Sequence, residues 1–132
     1  MRALIGALSH GHAVGLASDV RLDAGEPLPF FGHDMPANTV PARLALRYGC
    51  ELIATRAERL PGGRFRITML PPVRAEDPTA SDADQARNMT AQLNRTFESW
   101  IRATPGEWMC LARRWPKDVE REAERALRQG QS

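Results

Sequence analysis

Residues 81–103, "SDADQARNMTAQLNRTFESWIRA", constrain this chain more than any other stretch. Ser81 is a residue type that caps helix N-termini, and Ala86, Met89, Leu93, Phe97 and Trp100 follow at spacings of three and four. That period puts all five on one stripe of a helix running from about Asp82 to Ala103. Pro105 and Gly106 break it. A long helix with one apolar stripe needs a second layer to lie on, so the remaining residues must supply that layer.

They read as follows. Arg2 to Leu8 is a short helix. Ala13 to Ala17, "AVGLA", is a small apolar run that fits a buried strand ending near Asp19. "LPFFG" is a short extended segment after a loop. Thr39 is placed to cap a helix with Pro41 in its first turn, Val40, Leu44 and Tyr48 on one face, and Gly49 as its stop. "CELIATRAERL" and "RFRITML" are two strands joined by "PGG", and "PPVRAEDPTASD" is a loop. Trp108, Met109 and Leu111 form an apolar patch, and from Pro116 a charged helix follows. The order strand, helix, strand, strand, helix makes the class α/β, a small sheet flanked by helices. A first strand so near Met1, in a sheet with few strands, looks like the second half of a larger α/β domain, because a bare sheet edge is a liability.

At 132 residues the chain is the size of one domain. Its net charge of +2 does not argue for nucleic acid. No apolar run approaches the roughly 20 residues that cross a bilayer. Cys50 and Cys110 stand far apart in no metal spacing, and read as two buried, reduced thiols. There is no Gly-rich phosphate loop, no serine nucleophile elbow and no Cys/His metal spacing, so no cofactor or metal is expected.

Few residues remain to carry chemistry. His10, His12 and His33 lead, five residues on, to Gly15, Ala17 and Asn38, so none has a carboxylate at that spacing to orient it. Asp19, at a strand end, either bonds its own backbone in a turn or holds an arginine or a substrate hydroxyl. Phe30 and Phe31 either both fill the core or divide, one inward and one along a cleft. Trp108, Arg113, Arg114 and Trp115 either face a phosphate-bearing headgroup or cover the sheet with their apolar parts.

Together, "AVGLASD…G…LPFFG…NTVPARLALRYGCELI", "RFRITMLPP", "NRTFESWIRATPGEWM" and "RRW" resemble the C-terminal half of the bacterial lipid A biosynthesis acyltransferases, the lauroyl/myristoyl transferases of the lysophospholipid acyltransferase superfamily. The resemblance runs to about Lys117. It implies that residues 1–115 are the C-terminal part of an acyltransferase-type α/β domain and 116–132 a charged helical tail. It implies transfer of a fatty acyl group from acyl carrier protein to a hydroxyl of a lipid A precursor, in lipopolysaccharide biosynthesis. The place would be the cytoplasmic face of the bacterial inner membrane, with the chain peripheral to the membrane surface. Asp19 matches a functionally important family aspartate, although Val20 stands where Gln is usual. "PFFG" matches in full, and Pro105, Trp108, Arg113, Arg114 and Trp115 match the later motif. The resemblance thus assigns Asp19 to catalysis and Phe30, Phe31, Arg113 and Arg114 to substrate binding. The family's His-x-x-x-x-Asp/Glu motif, whose His is a general base, lies upstream of the position matched by Met1. A non-catalytic remnant or a lipid-binding module is therefore the alternative expectation.

Overall fold

The computed structural model describes residues 2–20, 22–110 and 115–130. Among them the architecture is a small mixed α/β domain of four helices and two two-stranded antiparallel sheets. Helix α1 (Arg2–Ser9) leads into an irregular segment, then the hairpin β1 (Glu26–Phe30) and β2 (His33–Ala37), helix α2 (Val40–Tyr48), the hairpin β3 (Thr55–Leu60) and β4 (Arg64–Met69), helix α3 (Asp82–Ala103) and helix α4 (Lys117–Gln129).

The long helix has its expected bounds. The Ser81 hydroxyl accepts from the Asp84 amide at 3.1 Å, satisfying one of the amides the first turn leaves open. The stripe is rotated relative to expectation. Ala86, Met89 and Leu93 are buried together with Thr90 and Asn94, while Phe97 and Trp100 are half-buried. Each polar intruder is satisfied. The Thr90 hydroxyl donates to the Ala86 carbonyl at 2.7 Å, and the Asn94 amide to the Pro29 carbonyl at 3.0 Å. Asn94 thereby fastens α3 to β1, a role that apolar periodicity does not encode.

Helix α2 starts and stops where expected, but its cap differs. Thr39 is buried with helical backbone angles, and its hydroxyl donates to Glu26 at 3.3 Å. The Asn38 side chain accepts from the Val40 amide instead, at 3.1 Å. Its inner face is Pro41, Ala42 and Ala45 rather than Val40, Leu44 and Tyr48. Small residues let α2 approach α3 closely, and Ala42, Ala45, Ala86 and Met89 form one cluster with Leu46, Leu52, Val73 and Ala75 around it.

Two expectations fail. Ala13–Ala17 forms no strand, and most of it is exposed. A strand needs a hydrogen-bonded neighbour, and Ala and Gly side chains bury too little area to hold an unpaired one. Cys50 and Cys110 are not buried but exposed, and are not joined in a disulfide. The segment β2, not anticipated because Pro36 sits inside it, pairs with β1 in the register Phe30↔His33 to Glu26↔Ala37. An edge strand tolerates a proline whose missing N–H is not called on.

One charged latch joins the pieces. Glu26, at the start of β1, meets Arg43 of α2 and Arg87 of α3, each at 2.7 Å. By contrast, the strands of the β3–β4 hairpin make most of their contacts with each other.

Candidate functional site

The "PFFG" turn comes first because the others gather on it. Phe31 and Gly32 form the two-residue loop between β1 and β2, with φ of 52° and 79°. Both central residues of a type I′ hairpin need positive φ. Glycine takes it freely, but for phenylalanine it is an outlier. Neighbours hold Phe31 there. Its amide donates to Glu98 Oε1 at 2.9 Å, Arg102 lies 4.6 Å over its ring, and Arg102 and Glu98 are themselves paired at 3.0 Å. Phe30 is fully buried and Phe31 half-buried. The turn, not the alternation of a strand, gives the two rings their different exposure.

Phe30 is the hub of an aromatic cluster. Its ring lies edge-on to Phe31 at 4.8 Å, and it contacts Trp108 at 6.1 Å and Trp115 at 6.0 Å. Trp108 and Trp115 meet each other edge-on at 5.9 Å. Such pairs add to simple area burial. The short 3₁₀ turn Pro105–Glu107 after α3 delivers Trp108, and its indole Nε1 donates to Asp19 Oδ2 at 3.1 Å. A residue from the first fifth of the chain is thereby fixed against one from its last quarter. Asp19 sits on a loop, not at a strand end.

Asp19 borders a cleft of about 240 Å³, also lined by Arg56, Trp100, Thr104, Glu107 and Trp108. Arg56 was not anticipated. Its guanidinium donates to the Thr104 hydroxyl at 2.7 Å and lies 3.5 Å from Glu58 and 3.6 Å from Glu107. The strand period of "TRAERL" does place Arg56 on the face opposite Thr55 and Ala57, but only the fold brings α3 and its following turn to that face. The cleft offers carboxylate acceptors, a guanidinium fork and two indole faces, a set suited to a hydroxyl-bearing ligand.

A second cavity, about 730 Å³, is mostly apolar, with Leu44, Leu52, Ile53, Met69, Leu93 and Phe97 in its wall and His12 at its margin. It lies within the range of small-molecule and cofactor sites. Both cavities are lined by Leu16, Ser18, Thr55 and Phe97, so they adjoin each other. The failed strand 13–17 is the segment that runs past both.

Asp19, Phe30 and Phe31 therefore lie around one centre, with Trp108 as the link. Arg113 and Arg114 lie outside the described residues. Among the described residues no group of three or more His, Cys, Asp and Glu stands close enough to hold a metal, and no helix is long and apolar enough to cross a membrane.

The family model for "Bacterial lipid A biosynthesis acyltransferase" matches residues 1–117, ending where α4 begins. No curated protein matches the chain.

Proposed function

The chain belongs to the bacterial lipid A biosynthesis acyltransferase family, and from that membership we propose that it serves transfer of a fatty acyl group from acyl carrier protein to a hydroxyl of a lipid A precursor. The observation that carries this is the junction of a polar cleft beside Asp19 with a large apolar cavity. Acyl transfer needs both: an apolar slot for the chain and a polar site where the acceptor hydroxyl is oriented. The acceptor is a lipid, so the work is done at a membrane surface, on the cytoplasmic face of the inner membrane.

In this proposal Asp19 organises the cleft. Trp108 donates to one of its oxygens, and the other is the acceptor proposed for a hydroxyl. Phe31, held by Glu98 and Arg102, packs on Phe30, which braces the Trp108 indole; neither phenylalanine lines either cavity. Arg113 and Arg114, which lie outside the described residues, are assigned to an anionic headgroup by the family motif alone. Residues 1–115 form the acyltransferase part. Residues 116–132 form a tail, in keeping with the exposure of every residue from Arg121 to Gly130.

General-base catalysis contributes roughly 100- to 10,000-fold. No histidine of the 132 residues has a carboxylate five positions on. The chain alone is therefore expected to turn over acyl carrier protein thioester slowly or not at all, and normal turnover by the purified chain would sink that expectation. The decisive test joins the chain to a family segment that carries the His motif. Activity is expected to appear in the joined protein, and Asp19→Ala to lower it by at least about tenfold. Unchanged activity in a folded Asp19→Ala variant removes Asp19 from the site.

A second reading, a lipid-binding module without turnover, is favoured by the cavity together with the absent motif. It expects an environment-sensitive fatty acid probe to bind the chain while the joined protein stays inactive.

A further inference from the structure

Asp19 is placed by a relay of contacts that begins on β3. It sits in an irregular segment, where the Trp108 indole meets its carboxylate at 3.1 Å. Trp108 in turn directly follows the 3₁₀ turn Pro105–Glu107. That turn stands open at its middle, since a Cβ built on Gly106 meets nothing within 4 Å. Its course is therefore set at its two ends, and Arg56 holds both. The Arg56 guanidinium donates to the hydroxyl of Thr104, the residue that caps α3 just before the turn, at 2.7 Å. It lies 3.6 Å from the carboxylate of Glu107, where the turn ends. The Arg56 side chain is 18% exposed against 42% for Glu107, so the guanidinium is the inner partner. Hydrogen bonds from a charged donor are roughly twice as strong as neutral ones. The same cation stands at the C-terminal end of α3, where the helix dipole favours it. Arg56 is also the one cation among the described residues lining the cleft.

We propose that Arg56 is a positioning residue for acyl transfer. By fastening Thr104 and Glu107 it fixes the direction in which the chain leaves α3, and so aims the Trp108 indole at Asp19. The inference rests on the role proposed above for Asp19, as the acceptor of a substrate hydroxyl. Trp108 also touches Phe30 at 6.1 Å and Trp115 at 5.9 Å, but these ring contacts press on the indole without choosing where its Nε1 points. The backbone at Trp108 chooses that, and Arg56 sets the backbone. A lysine carries the charge without the planar fork, so it cannot serve Thr104 and Glu107 with the same geometry. Arg59 cannot substitute either, because it lies on the opposite face of the strand, over the Phe65 ring. The expected consequence is kinetic. A misplacement of about 1 Å in a group that orients a reacting hydroxyl costs up to about 100-fold in rate.

The test reads the Trp108 indole directly in the full chain. The chain holds three tryptophans, so a nitrogen-labelled sample gives three indole N–H resonances, and the one lost in Trp108→Phe belongs to Trp108. Arg56→Met keeps the side chain's bulk and removes its donors. It is expected to move the Trp108 resonance toward the position it takes in Asp19→Ala. Arg56→Lys is expected to restore it in part. Thr104→Val and Glu107→Ala each cut one of the two ties and are expected to move it less than Arg56→Met. Arg59→Met is expected to leave it in place. A Trp108 resonance that stays put in folded Arg56→Met, or that moves as far in Arg59→Met, overturns the proposal. If Arg56→Met does not fold, Thr104→Val and Glu107→Ala decide in the same way. In the chain joined to a segment bearing the His motif, Arg56→Met is expected to lower kcat about tenfold, and to lower it no further when Asp19 is already Ala. Losses that add would give Arg56 a separate route and overturn its positioning role. The resonance needs neither acyl donor nor turnover. Its failure to move leaves acyl transfer standing, and an inactive joined protein leaves the link from Arg56 to Asp19 to be decided by the resonance.

Discussion

The Glu98 carboxylate accepts the Phe31 amide at 2.9 Å, joining residues 67 apart in sequence. The bond sits on a phenylalanine in the left-handed region, where a bulky residue persists only if its surroundings hold it. Arg102 completes the clamp by pairing with Glu98 and covering the Phe31 ring. The α3 helix is thus more than a core element: its polar flank shapes the turn on which the aromatic cluster is built.

Removing the clamp is expected to cost stability. Glu98→Ala leaves the Phe31 amide without its charged acceptor and is expected to destabilise by about 2 kcal/mol. Glu98→Gln keeps a neutral acceptor and is expected to lose about half of that. Urea unfolding measures both; equal losses would show that the hydrogen bond is not what matters.

The bond between Trp108 and Asp19 carries its own optical reporter. Asp19→Ala is expected to cost about 1 kcal/mol and to shift tryptophan emission to the red as Trp108 loses its partner. Asp19→Asn retains a carbonyl acceptor and is expected to shift it less. Emission unchanged in both variants would mean that the indole does not depend on Asp19.

Acid is expected to loosen the latch at Glu26. The hydrogen bond from Arg87 is the main cause holding its carboxyl below the ordinary 4.5, with the nearby Arg43 and Arg87 charges and the Thr39 hydroxyl adding to it against a desolvation cost. Because the folded pKa lies below the unfolded one, the stabilisation is complete above about pH 4.5 and is lost as pH falls through the lower folded value. Glu26→Gln is expected to be less stable at neutral pH and to show a flatter stability profile on acidification. A profile as steep as the parent's would place the acid sensitivity elsewhere.

Two glycines are expected to differ sharply. A Cβ at Gly25 would stand 2.5 Å from the Ala37 carbonyl oxygen and 2.8 Å from the Leu22 carbonyl oxygen, both backbone atoms. Gly25→Ala must therefore push the two ends of the β1–β2 hairpin apart, at an expected cost of about 3 kcal/mol. Gly49 has open space around it and a φ of 61°, so Gly49→Ala is expected to cost only about 1 kcal/mol of backbone strain. Thermal unfolding that ranks them the other way would contradict the backbone contact at Gly25.

Much of the local structure was legible because its causes are local. The Ser81 cap, the α3 period, the Gly49 stop and the β3–β4 turn each depend on residues a few positions apart. The strand expected at Ala13–Ala17 depended on a neighbour that no local pattern could supply, and it is absent. β2 was hidden by Pro36, whose tolerance depends on lying at an edge. Around Trp108, Asp19 and the "PFFG" pair were named beforehand by resemblance. Glu98, Arg102 and Arg56 were not, since each is an ordinary charged residue of a helix or strand until a distant segment meets it.

The helices, one hairpin, the class of the fold and the family follow from periodicity, turn chemistry and the order of short motifs. Long-range packing alone brings Trp108 back to Asp19, lets Glu98 hold Phe31 in a left-handed turn, and sets a polar cleft against an apolar cavity. The physical reason is range. A cap or a period is set within a turn or two of chain, whereas these contacts close loops of 67 and 89 residues and exist only after the apolar faces have packed.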